Sequence, residues 1–281
     1  MAGEAGTLAT MRAVLAEAAT CFGDVPGVVV VDEGDLVRSF GPGRSQPYLN
    51  GIGRLDVRSG EALLARIAEV ERPYRATGLP TSWWADDTTR PADATAWFER
   101  AGLRPGGGEA VMVLDLTVPP VAALHAGDAA AANGVEVRVV DTMTDLDAWI
   151  EVMAGSYGWV DPTRVTLMRG LYDPRTAHGS NGRRIQLLAR LGGVAVGGAS
   201  LFQTAGQGWV TNVGTIPAAR GRGVGGAVTA ATIRLAIQRG DPEAWLAASA
   251  MGEPVYRRLG FATVGHVSHW IGPAPERAPG G

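Results

Sequence analysis

The pattern of hydrophobic and polar positions is clearest in the second half of the chain, where it changes between two periods. In residues 224–238, apolar side chains recur every three or four positions, which is the period of a helix with one buried face. This face consists of Val224, Val228, Ala231 and Leu235. The segment ends at Gly240, a residue type that commonly terminates helices, so we expect a helix here.

Shorter apolar runs on both sides of this helix predict strands. Residues 184–191 and 194–203 are joined by Gly192-Gly193 and indicate a β-hairpin, and residues 209–216 form a further strand that ends at Pro217. The remaining predicted elements are, in chain order, a strand at 135–141, helices at 146–157 and 162–172, a strand at 245–249, a helix at 254–259 and a strand at 261–271. This order predicts an α/β fold in which helices cover a mixed sheet.

A boundary between two domains is expected near the middle of the chain. Residues 119–134 combine Pro119-Pro120 with a run of alanines and few large apolar side chains, which is typical of a linker. This predicts a first domain at 1–118 and a second at 135–272. The Pro/Gly-rich residues 273–281 are expected to form a flexible tail.

Composition narrows the class of protein further. The 281 residues carry a net charge of −3 and contain no lysine, so all 25 basic residues are arginine, and this balance argues against a general nucleic-acid binder. The longest apolar runs are too short to cross a membrane, and no signal peptide is visible. Cys21 is the single cysteine, so we expect neither disulfides nor a cysteine metal site. These observations predict a cytoplasmic globular protein without a metal ion.

The first candidate for chemistry is a turn between the strand at 209–216 and the helix at 224–238. It contains Arg220 and Arg222 together with Gly221, Gly223, Gly225 and Gly226. Backbone N–H groups at the start of a helix can bind an anion, and glycines let phosphate oxygens approach the backbone closely. The two arginines add charge that suits a diphosphate. The alternative is a purely structural turn in a glycine-rich chain.

Two other phosphate-binding motifs are disfavoured. Gly221, Gly223 and Gly226 satisfy G-x-G-x-x-G, but residues 217–220 separate the strand from the first glycine, and Asp241 precedes the next strand instead of ending it. A nucleotide-binding oxidoreductase is therefore the least favoured hypothesis. A Walker A loop is excluded because it requires a lysine.

Residues downstream of the turn complete a pattern that resembles the GNAT acyltransferase superfamily. The cofactor signature of that family, V-x-P-x-x-R-G-x-G-x-G/A, is matched by Pro217, Arg220, Gly221, Gly223 and Gly225, with Thr215 in place of valine. Its C-terminal signature is a polar residue after a strand, a tyrosine seven residues later and a Gly-Phe pair, which is matched by Ser249, Tyr256, Gly260 and Phe261. The resemblance covers about residues 135–272.

The resemblance implies an N-acetyltransferase that uses acetyl-CoA. The strand backbone would hydrogen-bond the pantetheine arm and stabilise the developing oxyanion, the turn would hold the diphosphate, and Tyr256 would protonate the leaving thiolate. A phenol with a pKa of about 10 still carries this proton at neutral pH. The residues assigned to cofactor binding are Val213, Thr215, Arg220, Gly221, Arg222, Gly223, Val224, Gly225, Gly226 and Ser249. Ser249 replaces the more usual asparagine and is expected to bind more weakly or through water.

The strand at 209–216 lacks the carboxylate that usually serves the family as a general base. Asn212 is assigned to the catalytic site because it can orient a water molecule, although it cannot accept a proton. Asp161, Asp173 and His178 are candidate bases by position only, and an exposed loop position is the favoured interpretation of His178. The alternative is that the amine arrives already neutral.

The first half of the chain carries a weaker copy of the same pattern. Residues 97–103 (WFERAGL) align with residues 255–261 (VYRRLGF), which predicts tandem domains of one fold, with chance similarity as the alternative. Phe98 stands in the place of Tyr256, and nothing in the first half matches the Gly/Arg turn. We therefore expect a degenerate first domain that binds no cofactor.

Four aromatic residues are candidates for contact with the acceptor amine. Tyr157 and Trp159 lie in the segment that usually forms the acceptor site in this superfamily. Trp83 and Trp84 precede Asp86-Asp87 and are weaker candidates, because paired tryptophans are more often buried. The expected acceptor is a small-molecule primary amine such as an amino sugar, an amino acid or an antibiotic. A peptide or protein amine is the alternative, and a CoA-binding sensor or scaffold without catalysis is the second hypothesis.

Overall fold

The structure of the chain is a computed structural model that describes residues 4–41, 46–159, 161–175 and 184–272. Its helices are α1 (Glu4–Ala19), α2 (Gly60–Ala76), α3 (Ala94–Arg100), α4 (Val121–Ala132), α5 (Met143–Tyr157), α6 (Pro162–Tyr172), α7 (Val224–Arg239) and α8 (Glu253–Arg258). Its strands are β1 (Val29–Asp32), β2 (Val37–Phe40), β3 (Gly51–Gly53), β4 (Ser82–Asp86), β5 (Arg104–Asp115), β6 (Val135–Val139), β7 (Arg184–Leu191), β8 (Val194–Thr204), β9 (Gln207–Thr215), β10 (Glu243–Ala248) and β11 (Ala262–Ile271). The expected tail at 273–281 lies outside the described residues.

The chain divides into two compact units. The first unit is built from Met1–Val111 together with Val264–Gly281, and the second is Met112–Thr263. The observed boundary therefore lies a few residues before the predicted linker at 119–134. The C-terminal strand belongs to the first unit instead of the second. No helix among the described residues combines the length and the apolar character needed to cross a bilayer.

The second unit contains a mixed sheet in the order β10-β9-β8-β7-β6. The predicted hairpin is confirmed: β7 and β8 pair antiparallel around Gly192 and Gly193, whose φ angles of 58° and 82° suit glycine. Strand β9 continues the antiparallel series, and β10 then pairs parallel to β9. This arrangement brings the end of β9 to the start of helix α7.

Helix α7 has a broader buried face than its sequence pattern predicts. Val224 and Val228 are buried as expected, whereas Ala231 and Leu235 are only half-buried. Thr229 and Thr232 are buried as well, and their hydroxyl groups donate to the carbonyl groups of the preceding turn, which satisfies them without another partner. The helix is covered on two sides, by the sheet and by α4.

The predicted linker at 119–134 instead contains helix α4, which packs on α7. A Cβ atom at Gly127 would lie 2.7 Å from the Cβ atom of Ala230, so the glycine permits close contact between the two helices. Arg234 donates to the carbonyl of Leu124 (3.3 Å) and to the carboxylate of Asp128 (2.6 Å). The linker prediction was wrong because small residues that bury little area per side chain still form a close-packed helix surface.

One order of elements occurs twice along the chain. The order consists of three strands, a long helix, a parallel strand, a short helix and a long strand. It occurs first as β1-β2-β3-α2-β4-α3-β5 and again as β7-β8-β9-α7-β10-α8-β11. Within the first unit, β11 pairs antiparallel with β4, so that His269 stands opposite Trp84 and Trp270 opposite Trp83. The core of this unit contains Trp83, Phe98 and Trp270.

Trp83 is wrong as a candidate for substrate contact. Its side chain is fully buried in the core of the first unit, and its indole Nε1 donates to the carboxylate of Glu71 at 2.7 Å. Trp84 lies on the opposite face of β4, half-buried, with its ring edge-on to His269 at 4.5 Å between centroids.

Candidate active site

A β-bulge interrupts the pairing of β8 with β9. Gly198 pairs with Gly214 and Ser200 pairs with Thr211, so Asn212 and Val213 together stand opposite Ala199. Asn212 adopts a left-handed conformation (φ 52°), which asparagine tolerates better than most residues. Its side-chain amide lies 3.2 Å from the hydroxyl of Ser200 and 3.4 Å from that of Tyr172. These contacts fix the bulge in place.

Strands β9 and β10 separate beyond their first residues. They pair at Gly208–Ala244 and Trp209–Trp245, and the described residues that follow, 210–215 in β9 and 246–248 in β10, do not pair with each other. The edge of β9 that contains Val213 and Thr215 therefore presents backbone groups toward a gap instead of toward a neighbouring strand. Backbone N–H and C=O groups in such a gap are positioned to hydrogen-bond an extended ligand.

The Gly/Arg turn leads directly from this gap into helix α7. Gly221 and Gly223 have φ angles of 76° and 80°, a region that only glycine enters without strain. Gly223 is the N-cap residue and has no side chain to accept from the first N–H groups of the helix. Gly221, Arg222 and Gly223 are exposed, Gly225 and Gly226 are half-buried, and Val224 is buried in the core. The start of this 16-residue helix therefore suits an anion.

Arg220 joins the turn to two other elements of the second unit. Its guanidinium donates to the carbonyl of Thr215 (3.4 Å) and to the carbonyl of Ser156 at the end of α5 (3.5 Å). Both contacts are long, and the side chain is exposed. Arg220 is therefore held only weakly.

Tyr256 lies in the short helix α8, where its two neighbours fix the ring. A Cβ atom at Gly252 would lie 3.1 Å from Cε2 of Tyr256, and the ring of Phe261 meets it edge-on at 5.8 Å between centroids. Ser249 forms the turn before α8, because its hydroxyl and its carbonyl both accept from the N–H of Gly252 (3.3 and 2.9 Å). Ser249 thus has a structural role besides the one implied by the resemblance.

Tyr157 and Trp159 lie next to the bulge. The hydroxyl of Tyr157 donates to the carbonyl of Val213 at 2.9 Å. The two rings are stacked, 5.7 Å apart with an angle of 15° between their planes, and the guanidinium of Arg164 lies 3.8 Å from the centroid of Trp159. The end of α5 is brought this close because Gly214 has no side chain.

The carboxylates proposed as bases are engaged elsewhere. Asp161 caps helix α6 and accepts from the N–H of Thr163 at 2.9 Å. Asp173 forms an ion pair with Arg175 at 2.7 Å, and hydrogen bonds from Arg175 lower the pKa of Asp173 to about 2. A carboxylate with so low a pKa is a weak base at neutral pH. His178 lies outside the described residues.

Several buried polar residues near the bulge were missed by sequence reasoning. Tyr172, Gln186 and Ser200 are at most 2% exposed. Gln186 and Ser200 are direct partners across the β7–β8 pair. The sequence does show one polar residue inside each of two apolar strands, Gln186 and Ser200. Only the β7–β8 register shows that these two residues are neighbours.

Comparison with known families identifies the second half of the chain. Residues 147–261 match the model of the acetyltransferase (GNAT) family. The chain carries a GNAT acetyltransferase domain. This match spans α5 through Phe261 and so includes the bulge, the Gly/Arg turn and Tyr256. No curated protein matches the sequence.

The whole chain has the fold of solved GNAT proteins. A GCN5-related N-acetyltransferase from Kribbella flavida is similar with a TM-score of 0.69 and 18% identity, over 94% of this chain and 96% of that one. One from Sphaerobacter thermophilus has a TM-score of 0.60 and 20% identity, over 95% and 92% of the two chains. A tandem GNAT protein from the clavulanic acid biosynthesis pathway has a TM-score of 0.58 and 15% identity, over 97% and 95%. At these identities the likeness concerns the fold, which is a tandem GNAT fold.

Proposed function

We propose that the protein transfers the acetyl group of acetyl-CoA to the primary amine of a small molecule, with Tyr256 as the general acid. The observation that carries the proposal is the gap between β9 and β10, which ends at the glycine-capped start of α7. The backbone of β9 in this gap can hydrogen-bond the extended pantetheine arm of CoA. The uncapped N–H groups at the start of α7 can bind its diphosphate.

The residues at the turn fit the diphosphate of CoA. Gly221 and Gly223 are exposed and have no side chain that would shield the helix start, and Arg222 is exposed beside them. The long contacts of Arg220 leave its guanidinium able to turn toward the same anion. Val213 and Thr215 would bind the pantetheine arm through their backbone, and Ser249 would contact it at the other side of the gap.

Acetyl-CoA, when bound, supplies an activated thioester carbonyl and a thiol leaving group. Tyr256 would donate its hydroxyl proton to the departing sulfur, because a phenol is protonated at neutral pH. The N–H of Val213 would stabilise negative charge on the reacting oxygen. Asn212 would orient a water molecule at the bulge, while the amine arrives neutral or loses its proton through water.

The acceptor would lie against the stacked rings of Tyr157 and Trp159. Tyr157 is 49% exposed, so its ring is available for contact although its hydroxyl is held by Val213. The 2.9 Å hydrogen bond from Tyr157 to Val213 supports this assignment, because Val213 belongs to the proposed reaction centre.

The first unit, in contrast, would bind no cofactor. Helix α2 corresponds in order to α7, but its N-cap is Ser59, whose hydroxyl accepts from the N–H of Ala62 at 3.3 Å. The ring of Trp97 packs so closely on Gly60 that a Cβ atom there would overlap it. Phe98, which replaces Tyr256, is fully buried. A capped and covered helix start disfavours diphosphate binding, which supports the proposal that the first unit binds no cofactor.

A CoA titration and a turnover assay together test the proposal. Arg222→Ala is expected to weaken CoA binding by roughly 10-fold, the scale of one charge-assisted contact, and Arg104→Ala in the first unit is the matched control. Release of free thiol in the presence of amines reports turnover. Unchanged CoA affinity in Arg222→Ala would argue against the assigned turn. CoA binding without thiol release for any amine would favour the sensor or scaffold hypothesis.

A further inference from the structure

A cavity of about 280 Å³ lies in the first unit, and the proposed acetyl transfer uses none of its residues. It is lined by the β1–β2 hairpin on one side and by helix α2 on the other. Most of the lining residues of α2, at positions 66, 69, 70, 73 and 76, recur every three or four positions. Such positions form one continuous strip of a helix surface. We call this space the α2 cavity.

Most of the charge at the α2 cavity is neutralised by pairing around Arg66. Its guanidinium forms ion pairs with Glu33, with Glu69 (3.0 Å) and with Asp35 (2.9 Å), which lies outside the lining. Glu33 also accepts from Nε of Arg38 at 2.9 Å. Burial raises the pKa of Glu33, but the hydrogen bonds from Arg38 and Arg66 outweigh burial and lower the pKa overall. All three carboxylates therefore have a guanidinium partner.

Arg72 is the cationic lining residue that has no such partner. No hydrogen bond or ion pair joins its exposed side chain to any other part of the chain that the structure describes. A guanidinium can bind a carboxylate through two parallel N–H···O contacts. One unpaired positive charge balances a single negative charge, and the carboxylates around Arg66 would repel the second charge of a phosphate dianion.

The rest of the lining is apolar and consists of Val70, Pro73 and Ala76. An apolar wall beside a few polar groups is typical of sites for small molecules. The volume of about 280 Å³ is just below the range of roughly 300–1,000 Å³ that is usual for drug-sized ligands. The α2 cavity therefore suits a small ligand that combines one negative charge with a short apolar part.

We propose that the α2 cavity binds a small apolar monocarboxylate. Its carboxylate pairs with Arg72, and its apolar part lies against Val70, Pro73 and Ala76. This inference goes beyond the proposed function and does not depend on it, because no residue of the α2 cavity is assigned to acetyl transfer.

Equilibrium binding to the full chain, without acetyl-CoA, tests the inference. Calorimetric titration compares each acid with the amide of the same shape: isovalerate with isovaleramide, and phenylacetate with phenylacetamide. At least one acid is expected to bind 10-fold or more tightly than its amide, the scale of one charge-assisted contact. Equal affinity in both pairs, or no binding of either acid, would overturn the inference. Inorganic phosphate should not displace the acids, and displacement at equal affinity would contradict the monocarboxylate assignment.

Two variants and one control locate the bound acid. Arg72→Gln is expected to abolish the preference for the acid over the amide. Arg75→Gln is the matched control, because Arg75 is an exposed arginine of the same helix that does not line the cavity. Ala76→Leu, which enlarges a side chain of the apolar wall, is expected to weaken binding of acid and amide alike by 10-fold or more. Thermal unfolding verifies that each variant is folded, and a folded Arg72→Gln with an unchanged preference would overturn the inference.

The Gly/Arg turn is the other place at which an acid could bind. Affinity for the acid that falls in Arg222→Ala but not in Arg72→Gln would place the acid at that turn and contradict the α2 cavity. Weaker binding of the acid in Arg72→Gln, with unchanged affinity for CoA, would support the α2 cavity whether or not the protein transfers acetyl groups.

Discussion

At the scale of single residues, two nonpolar neighbours fix the ring of Tyr256. Gly252 leaves room for one face of the ring, and Phe261 meets it edge-on. A ring held in this way keeps the phenol in one position, as a general acid requires.

Tyr256→Phe should therefore lower kcat by roughly 10²-fold, the lower end of the effect of a general acid. CoA affinity should stay unchanged, because the ring and its contacts remain. Thiol release gives kcat, and CoA titration gives the affinity. Tyr74→Phe, which removes a buried phenol of the first unit, is the control with normal kcat. Normal turnover by Tyr256→Phe would show that the sulfur leaves without this acid.

Tyr74 itself gives a pH-dependent effect on stability. Burial raises the pKa of this phenol above its usual value, and the nearby Arg38 offsets part of the increase. As the pH rises through the unfolded value of about 10, the unfolded chain loses a proton that the folded chain retains. The free energy of unfolding should therefore fall with rising pH above that value, and fall less steeply in Tyr74→Phe. Urea unfolding between pH 8 and pH 11 checks this, and identical slopes would contradict it.

At the scale of elements, the contact between α5 and β9 connects the acceptor side to the bulge. A Cβ atom at Gly214 would lie 2.9 Å from the Cβ atom of Ser156 and 3.0 Å from Cε of Met153. Gly214→Ala should push α5 away from β9 and lengthen the hydrogen bond from Tyr157 to Val213. We expect a loss of about 1–3 kcal/mol in stability and a higher KM for the amine, with CoA affinity little changed.

Gly170→Ala in α6 is the matched control for this prediction. A Cβ atom there meets no atom within 4 Å, and alanine favours helix, so the variant should be stabilised by about 0.5–1 kcal/mol. Chemical denaturation and amine-dependent kinetics measure both variants. A Gly214→Ala variant with wild-type KM would show that the position of α5 does not affect the acceptor site.

The sequence predicted those elements that are determined by residues close together in the chain. The hairpin at Gly192-Gly193 and the Gly/Arg turn are of this kind, so a short stretch of sequence is enough to predict them. Helix α4 was missed because its alanines give no contrast between a buried and an exposed face. Tyr172, Gln186 and Ser200 were missed because only the β7–β8 register and the contacts of Asn212 at the bulge bring these residues of α6, β7 and β8 together.

At the scale of the whole molecule, the chain leaves the first unit at Val111 and returns to it at Val264. The alternation of apolar and polar residues predicted that β11 is a strand. Such alternation shows which side chains share a face of the sheet, but it does not show which strand pairs with β11. The structure pairs β11 with β4, and Trp270 joins the core of the first unit, 5.6 Å from Phe98 between ring centroids. A domain cut out at 135–272 would therefore remove a strand from the first unit.

Trp270→Ala in the full chain tests whether β11 belongs to the first unit. Truncating a buried tryptophan typically costs about 3–5 kcal/mol, and the loss should fall on the unit whose core contains the ring. Hydrogen exchange followed by mass spectrometry should show faster exchange in β4 and α3, with little change in β8 and α7. Val228→Ala, in the core of the second unit, should give the opposite pattern. If Trp270→Ala instead accelerated exchange in β8 and α7, the C-terminal strand would stabilise the second unit, as the sequence alone had predicted.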